Sequence, residues 1–153
     1  MLKLTCRLSP AQQAKMPSIE LSMIDEIALR YDLFLGDIVF KGDNYDFSTN
    51  WGWVPIVDFM ACMNLIVIEL LKDVGTSHFE FTESDAKITF INDGSMIRIE
   101  CTYADGSCQV SLEEFARNVV METRRLRREL LGACPTLSGN PIFDKLLPQA
   151  AAY

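Results

Sequence analysis

The chain has 153 residues, 49% of them hydrophobic, which suffices to bury one ordinary core without disulfide or metal staples. Aromatic residues at 10%, charged residues at 23%, 6 prolines and 8 glycines exclude a disordered, collagenous or low-complexity polypeptide. Lys and Arg number 14 against 21 Asp and Glu, a net charge of −7 that argues against free nucleic acid as a ligand for the whole surface.

The first fifteen residues, MLKLTCRLSPAQQAK, alternate polar and apolar side chains and lack the unbroken apolar run of a secretory signal, so a cytoplasmic protein is expected. Residues 2–8 have the two-residue period of a half-buried strand: Leu2, Leu4, Cys6 and Leu8 on one face, Lys3, Thr5 and Arg7 on the other. A polar connector is expected over residues 10–17, while residues 18–30 fit neither a helical nor a strand period. Residues 31–40 (YDLFLGDIVF) are β-like, with turn chemistry at Gly36-Asp37 and at Gly42-Asp43-Asn44.

Residues 54–71 (VPIVDFMACMNLIVIELL) approach the length of a membrane span, about 18 residues at the least. Asp58, Asn64 and Glu69 interrupt them, each charge costing roughly 2.5–3.5 kcal/mol on insertion, which predicts a core helix instead. It is expected from residue 54 to 72 or 73, with Ser48-Thr49-Asn50 supplying capping oxygens, Pro55 in its first turn and Gly75 as a left-handed stop. Its apolar residues surround nearly the whole circumference and require cover on several sides; Asp58 and Glu69, about 20° apart around the axis at ~100° per residue, form a narrow polar edge.

Segments 78–81, 88–91, 96–101 and 108–110 read as an antiparallel meander, punctuated by Glu83-Ser84-Asp85, Asn92-Asp93-Gly94 and Ala104-Asp105-Gly106. Ser111 and Glu114 form a capping box that opens a helix with a stripe of Leu112, Phe115, Val119, Leu126 and Leu130. Arg124, Arg125, Arg127 and Arg128 load its C-terminal turns, and Gly132 is expected to end it. A short helix over residues 142–147 and a loose tail from about residue 148 close the chain. The whole predicts one α+β domain over residues 1–153, an antiparallel sheet of hairpin plus meander packed against a central hydrophobic helix and a C-terminal helix.

The chemistry-bearing residues are sparse. Cys6, Cys62, Cys101, Cys108 and Cys134 are odd in number, contain no C-x-x-C pair, and share the chain with a single histidine, His78. They predict reduced thiols in the core, with no cofactor or metal, although Cys101 and Cys108 could face each other across a hairpin. No Gly-rich phosphate loop joins a strand to a helix, and no nucleophile elbow or metalloprotease pattern surrounds His78. Trp51 and Trp53, two apart ahead of the central helix, project to one side if extended; they either anchor a partner or cover the helix end.

The charge layout is uneven. Residues 20–114 hold 18 acids and 5 bases, net −13, whereas residues 1–19 and 115–153 are each net +3. Acidic turns gathered on one surface would complement a basic partner and speed encounter by roughly 10–10³-fold; the alternative is ordinary solubility charge, with Glu122, Arg125 and Glu129 pairing along the last helix.

FLGDIVF ahead of WGWVPIVDFMACMNLIVIELL, then FEFTES, then VSLEEFARNVVMETRRLRREL, resembles in element order and character the immunity proteins of bacterial contact-dependent growth inhibition and related polymorphic toxin systems, over roughly residues 31–131. The resemblance implies a non-enzymatic inhibitor of the C-terminal toxin domain of a cognate effector, often a nuclease. On this basis Asp43, Asp46, Glu83, Asp85, Asp93 and Asp105 are the expected acidic rim, with Trp51 or Trp53 as anchor. No direct contact with nucleic acid or membrane is expected. An adaptor or assembly subunit, and a small carboxylate-dependent hydrolase or carbohydrate-binding module, are the other classes the residues leave open.

Overall fold

The computed structural model describes residues 1–15 and 20–153. The expectation of an α+β fold with antiparallel strands and two principal helices holds, but the strands divide into two sheets. The first has the order β1-β2-β3, from β1 (Lys3–Leu8), β2 (Leu35–Lys41) and the two-residue β3 (Val54–Pro55); the second is the meander β4 (Gly75–Glu80), β5 (Lys87–Asn92), β6 (Met96–Cys101), β7 (Cys108–Ser111). Between and across them lie α2 (Ile56–Lys72) and α3 (Leu112–Ala133), with short α1 (Pro10–Lys15) and α4 (Pro141–Leu146) at the periphery.

The central helix has ten buried residues, Asp58 among them. Phe59 meets Phe79 of β4 edge to face at 5.0 Å, and Phe115 of α3 packs on Phe90 of β5 at 5.3 Å. One hydrophobic cluster runs continuously from Leu2 to Leu147 through both sheets and both long helices. The second sheet turns Phe79, Ile88, Phe90, Ile97, Ile99, Cys108 and Val110 inward, while His78, Arg98 and Gln109 face outward. His78 is exposed there, its Nδ1 3.1 Å from the Thr89 hydroxyl.

Several local expectations are overruled by tertiary partners. Ser48 and Thr49 do not cap α2; their hydroxyls accept the amides of Phe40 and Ile38 on β2 at 3.0 and 3.1 Å. Pro55 becomes the N-cap position, without a side-chain bond. Gly75 is no helix stop, because it begins β4; the Asn92 side chain reaches across from β5 and donates to the carbonyls of Leu70 and Asp73 at the helix end. Asp58, expected at a polar surface edge, is buried and takes a 2.5 Å hydrogen bond from Arg30. Glu69 does stay exposed, accepting from Ser77. Gly132 lies inside α3, which runs on to Ala133 and stops where Pro135 opens a 3-10 turn.

Gly36-Asp37, read as a turn, is mid-strand in β2. Glycine is needed there because β1 approaches so closely that a Cβ would meet the Arg7 carbonyl. The expected connector at residue 10 opens instead as α1, whose first turn Ser9 caps through its carbonyl and hydroxyl and which Pro10 begins. Residues 16–19, within the connector and the unassigned stretch, lie outside the described residues; Ala28–Asp32 form one wide π turn. The tail is not loose: Arg124 and Arg127 donate to the carbonyls of Gln149 and Leu147, and the Tyr153 hydroxyl donates to Asn64 at 3.1 Å. Burial pushes that phenol up to about 12.

No two of the five cysteines form a disulfide with each other. Cys101 and Cys108 do not oppose one another, since the register sets Cys108 against Ile99 and Cys101 against Ile88. Burial raises every thiol, Cys62 to about 11, so all stay protonated at neutral pH.

The outer edge of β1 would leave its amides unpaired, and α3 takes up two of them, those of Leu2 and Cys6. Half the capping box forms: the Glu114 amide donates to Ser111 at 3.0 Å, but the Glu114 carboxylate, instead of reaching back, accepts the Leu2 amide at 3.1 Å. Eight residues further on, Glu122 accepts the Cys6 amide at 2.7 Å while Arg125 donates to the Cys6 carbonyl at 2.6 Å. Eight helical residues rise about 12 Å and four strand residues about 13 Å, so helix and strand stay in step. Arg125 is further held by Glu122 and Glu129, and these hydrogen bonds, Glu122's foremost, raise its already high pKa against burial. Replacing the buried Glu122 with Ala orphans the Cys6 amide, while Arg125 keeps Glu129 and the Cys6 carbonyl; a loss of about 1–3 kcal/mol in urea-unfolding free energy is expected.

Candidate functional site

In a four-stranded meander the first and third turns share one end. The β4–β5 turn, with Glu83 and Asp85, and the β6–β7 turn, with Asp105, therefore lie together, and the β5–β6 turn carrying Asp93 lies at the other end. Asp93 is thus separated from the expected rim, because an odd number of strands reverses the chain between it and the others.

Two further segments join the first end. The Gly42–Asp46 region reaches the β6–β7 turn, Asn44 carbonyl oxygen lying 3.9 Å from the position a Cβ on Gly106 would take. The Tyr103 hydroxyl donates to the Phe47 carbonyl at 2.6 Å, and its ring stands edge-on to both Trp51 and Phe81, at 5.1 and 5.6 Å. Tyr103 is the hub: it touches the segment after Asp46, the tryptophan loop and the strand leading to Glu83. Burial raises its pKa, so it remains a donor.

The tryptophans are stacked on each other, centroids 5.1 Å apart and planes 17° from parallel, and both are half-buried. Stacking requires the chain between them to fold, which Gly52 supplies with φ of 80°. The loop is pinned from β2: the Asp37 carboxylate accepts the Thr49 hydroxyl at 2.7 Å, the Trp51 amide at 2.7 Å and the Gly52 amide at 3.0 Å. Neither indole N–H is bonded to a described residue or sealed from solvent. Trp51 packs on Phe81 and Tyr103, while Trp53 borders an open recess of about 460 Å³ with Tyr31, Leu35, Pro55 and Glu83.

Most carboxylates of this end lack a close ion-pair partner. Asp46, Glu83, Asp85 and Asp105 are in no ion pair with any described residue, whereas Arg30, Arg98, Arg117, Arg125 and Arg127 all are. Asp43 lies 3.4 Å from the amino group of Met1. Hydrogen bonds from the Ser48 hydroxyl and amide hold the Asp46 carboxyl below the usual range, so its charge persists into mild acid. Among the described residues no group of three or more His, Cys, Asp or Glu is arranged to hold a metal ion, and no helix is long and apolar enough to cross a membrane.

Asp37, Tyr103, Phe81 and Tyr31 are the residues that sequence reasoning missed. Only the aromatic character of three of them offered a signal. Comparison of the chain with family models, with curated proteins and with solved structures finds no match.

Gly52→Ala meets no atom within 4 Å, so its cost is conformational alone, about 1–2 kcal/mol for a side chain at positive φ. It is expected to lower stability by that amount in thermal unfolding and to weaken the near-ultraviolet circular dichroism of the coupled indoles. Asp37→Asn keeps the shape but removes the charge from three hydrogen bonds, each worth about 1.5–3 kcal/mol when charged. Faster hydrogen exchange at the Trp51 and Gly52 amides is the expected readout.

Proposed function

We propose that this chain is a stoichiometric protein inhibitor of the immunity type, acting in the cytoplasm, which uses its acidic, tryptophan-bearing end to cover the basic substrate surface of a cognate toxin domain, a nuclease by preference. The observation that carries this is the set of four unpaired carboxylates, Asp46, Glu83, Asp85 and Asp105, around an indole stack that still reaches solvent. A nuclease must present cations to hold the phosphate backbone. Carboxylates facing that surface steer encounter at long range, and a rigid aromatic pair supplies the desolvated centre that dominates interface energy. The polarity of the molecule fits: its arginines hold its own carbonyls and carboxylates on α3, α4 and β1, leaving negative charge to face outward at the other site.

The alternative of a carbohydrate-active module is less well supported. Retaining or inverting chemistry needs two carboxyl groups flanking one bond, and the recess beside Trp53 is bordered by Glu83 alone. The adaptor alternative uses the same surface, but the acidity favours a strongly basic partner.

The test is association with the C-terminal domain of the secreted effector encoded beside this chain. The natural chain is expected to form a one-to-one complex and to restore growth to cells expressing that domain. The triple variant Asp46→Lys, Glu83→Lys, Asp105→Lys is expected to associate at least ~10-fold more slowly at low salt, the difference shrinking above a few tenths molar as screening shortens the Debye length to well below ~8 Å. An unchanged association rate, or no complex with the natural chain, overturns the proposal.

A further inference from the structure

The recess beside Trp53 has a chemistry more specific than its acidic surroundings. Its floor is Leu35 and Pro55, directly opposed in the β2–β3 ladder. One indole face of Trp53 is covered by Trp51, which leaves the other for the recess, and Tyr31, 38% exposed at the end of the π turn, is a second aromatic wall. Glu83 stands at the rim, exposed and without a hydrogen bond or ion pair to any described residue. Apolar floor, π faces and a free carboxylate are complementary to one kind of side chain, a cation carried on an aliphatic stem: the stem lies on Leu35 and Pro55, the cation meets the negative ring faces, and the carboxylate takes its N–H groups.

We infer that this recess is the specificity pocket of the interface and receives a single arginine side chain of the protein partner, stacked on Trp53 and bonded to Glu83. Arginine fits better than lysine because a planar guanidinium stacks on a ring while presenting a fork to a carboxylate, and because it sheds water more readily than an ammonium. The recess, about 460 Å³, is within the ~300–1,000 Å³ of clefts that seat small ligands, and its floor lies on paired strands. This rests on the inhibitor proposal for the identity of the partner as a basic protein, but the pocket itself is testable on the chain alone.

The probe is N-acetyl-L-arginine amide, with its neutral isostere N-acetyl-L-citrulline amide as control, titrated into the ¹⁵N-labelled chain. Saturable movement of the Trp53 indole resonance, assigned with Trp53→Phe, together with the Leu35 and Glu83 amides, is expected for arginine at an affinity at least fivefold above citrulline. Glu83→Gln, at an exposed turn position with no described partner to lose, is expected to weaken arginine at least threefold and leave citrulline unchanged. Equal affinities, shifts centred away from Trp53, or indifference to Glu83→Gln overturn the pocket. The two proposals fail separately: an effector domain that binds Glu83→Gln as tightly as the natural chain removes the pocket and keeps the inhibitor, whereas a chain that takes the arginine probe but no effector domain keeps the pocket and removes the inhibitor.

Discussion

A seventeen-residue helix that is apolar on almost every side has to be enclosed, and the enclosure of α2 organises the rest of the molecule. Neither sheet alone can cover it. Placed against the second sheet through Phe59 and Phe79, it exposes flanks that α3, the wide turn before β2 and the small first sheet then close. Its two polar problems are solved from outside: Asp58, forced inward, receives Arg30, and the C-terminal carbonyls receive Asn92 from β5. A buried carboxylate without such a partner would cost several kcal/mol, so Arg30 and Asn92 are as much a consequence of the helix's hydrophobicity as the aromatic contacts are.

That enclosure also places the candidate functional end. The helix begins directly after Val54 and Pro55, which pair with Leu35 and Gly36 of β2, so the residues just before it cannot wander from the sheet. Asp37, on the same strand, gathers the amides of Trp51 and Gly52. The stacked tryptophans are therefore held by a strand, a glycine kink and a carboxylate, and Tyr103 joins them to the end of the meander where the acidic turns lie. On the proposed function, an aromatic centre pinned in this way lowers the ordering cost of association.

Charge separation in the fold follows from what the basic residues are used for. Arginines of α3 and the π turn bind carbonyls, carboxylates and the open edge of β1. The acids in the hairpin turns have backbone reasons to be there, since Asp and Asn suit tight turns, and Asp46, Glu83, Asp85 and Asp105 make no close ion pair with a described residue. Turn chemistry and strand alternation thus combine to make a negative end.

The sequence by itself determined the class of fold, the long helices, the meander and most of its boundaries, because alternation, turn residues and the Ser111 cap act over two to four residues. It also determined that the turns would be acidic. What only the tertiary structure decided was which of them share an end, that Asp93 is excluded, that Gly36-Asp37 is strand, that Ser48 and Thr49 serve β2, and that Glu114 and Glu122 serve β1. Those outcomes turn on partners far apart along the chain, 14 residues for Asp37 and Trp51 and 116 for Cys6 and Glu122. A side chain's local preference is worth about 1 kcal/mol, and leaving a buried amide or charge unpaired costs more, so the distant partner wins wherever the two compete.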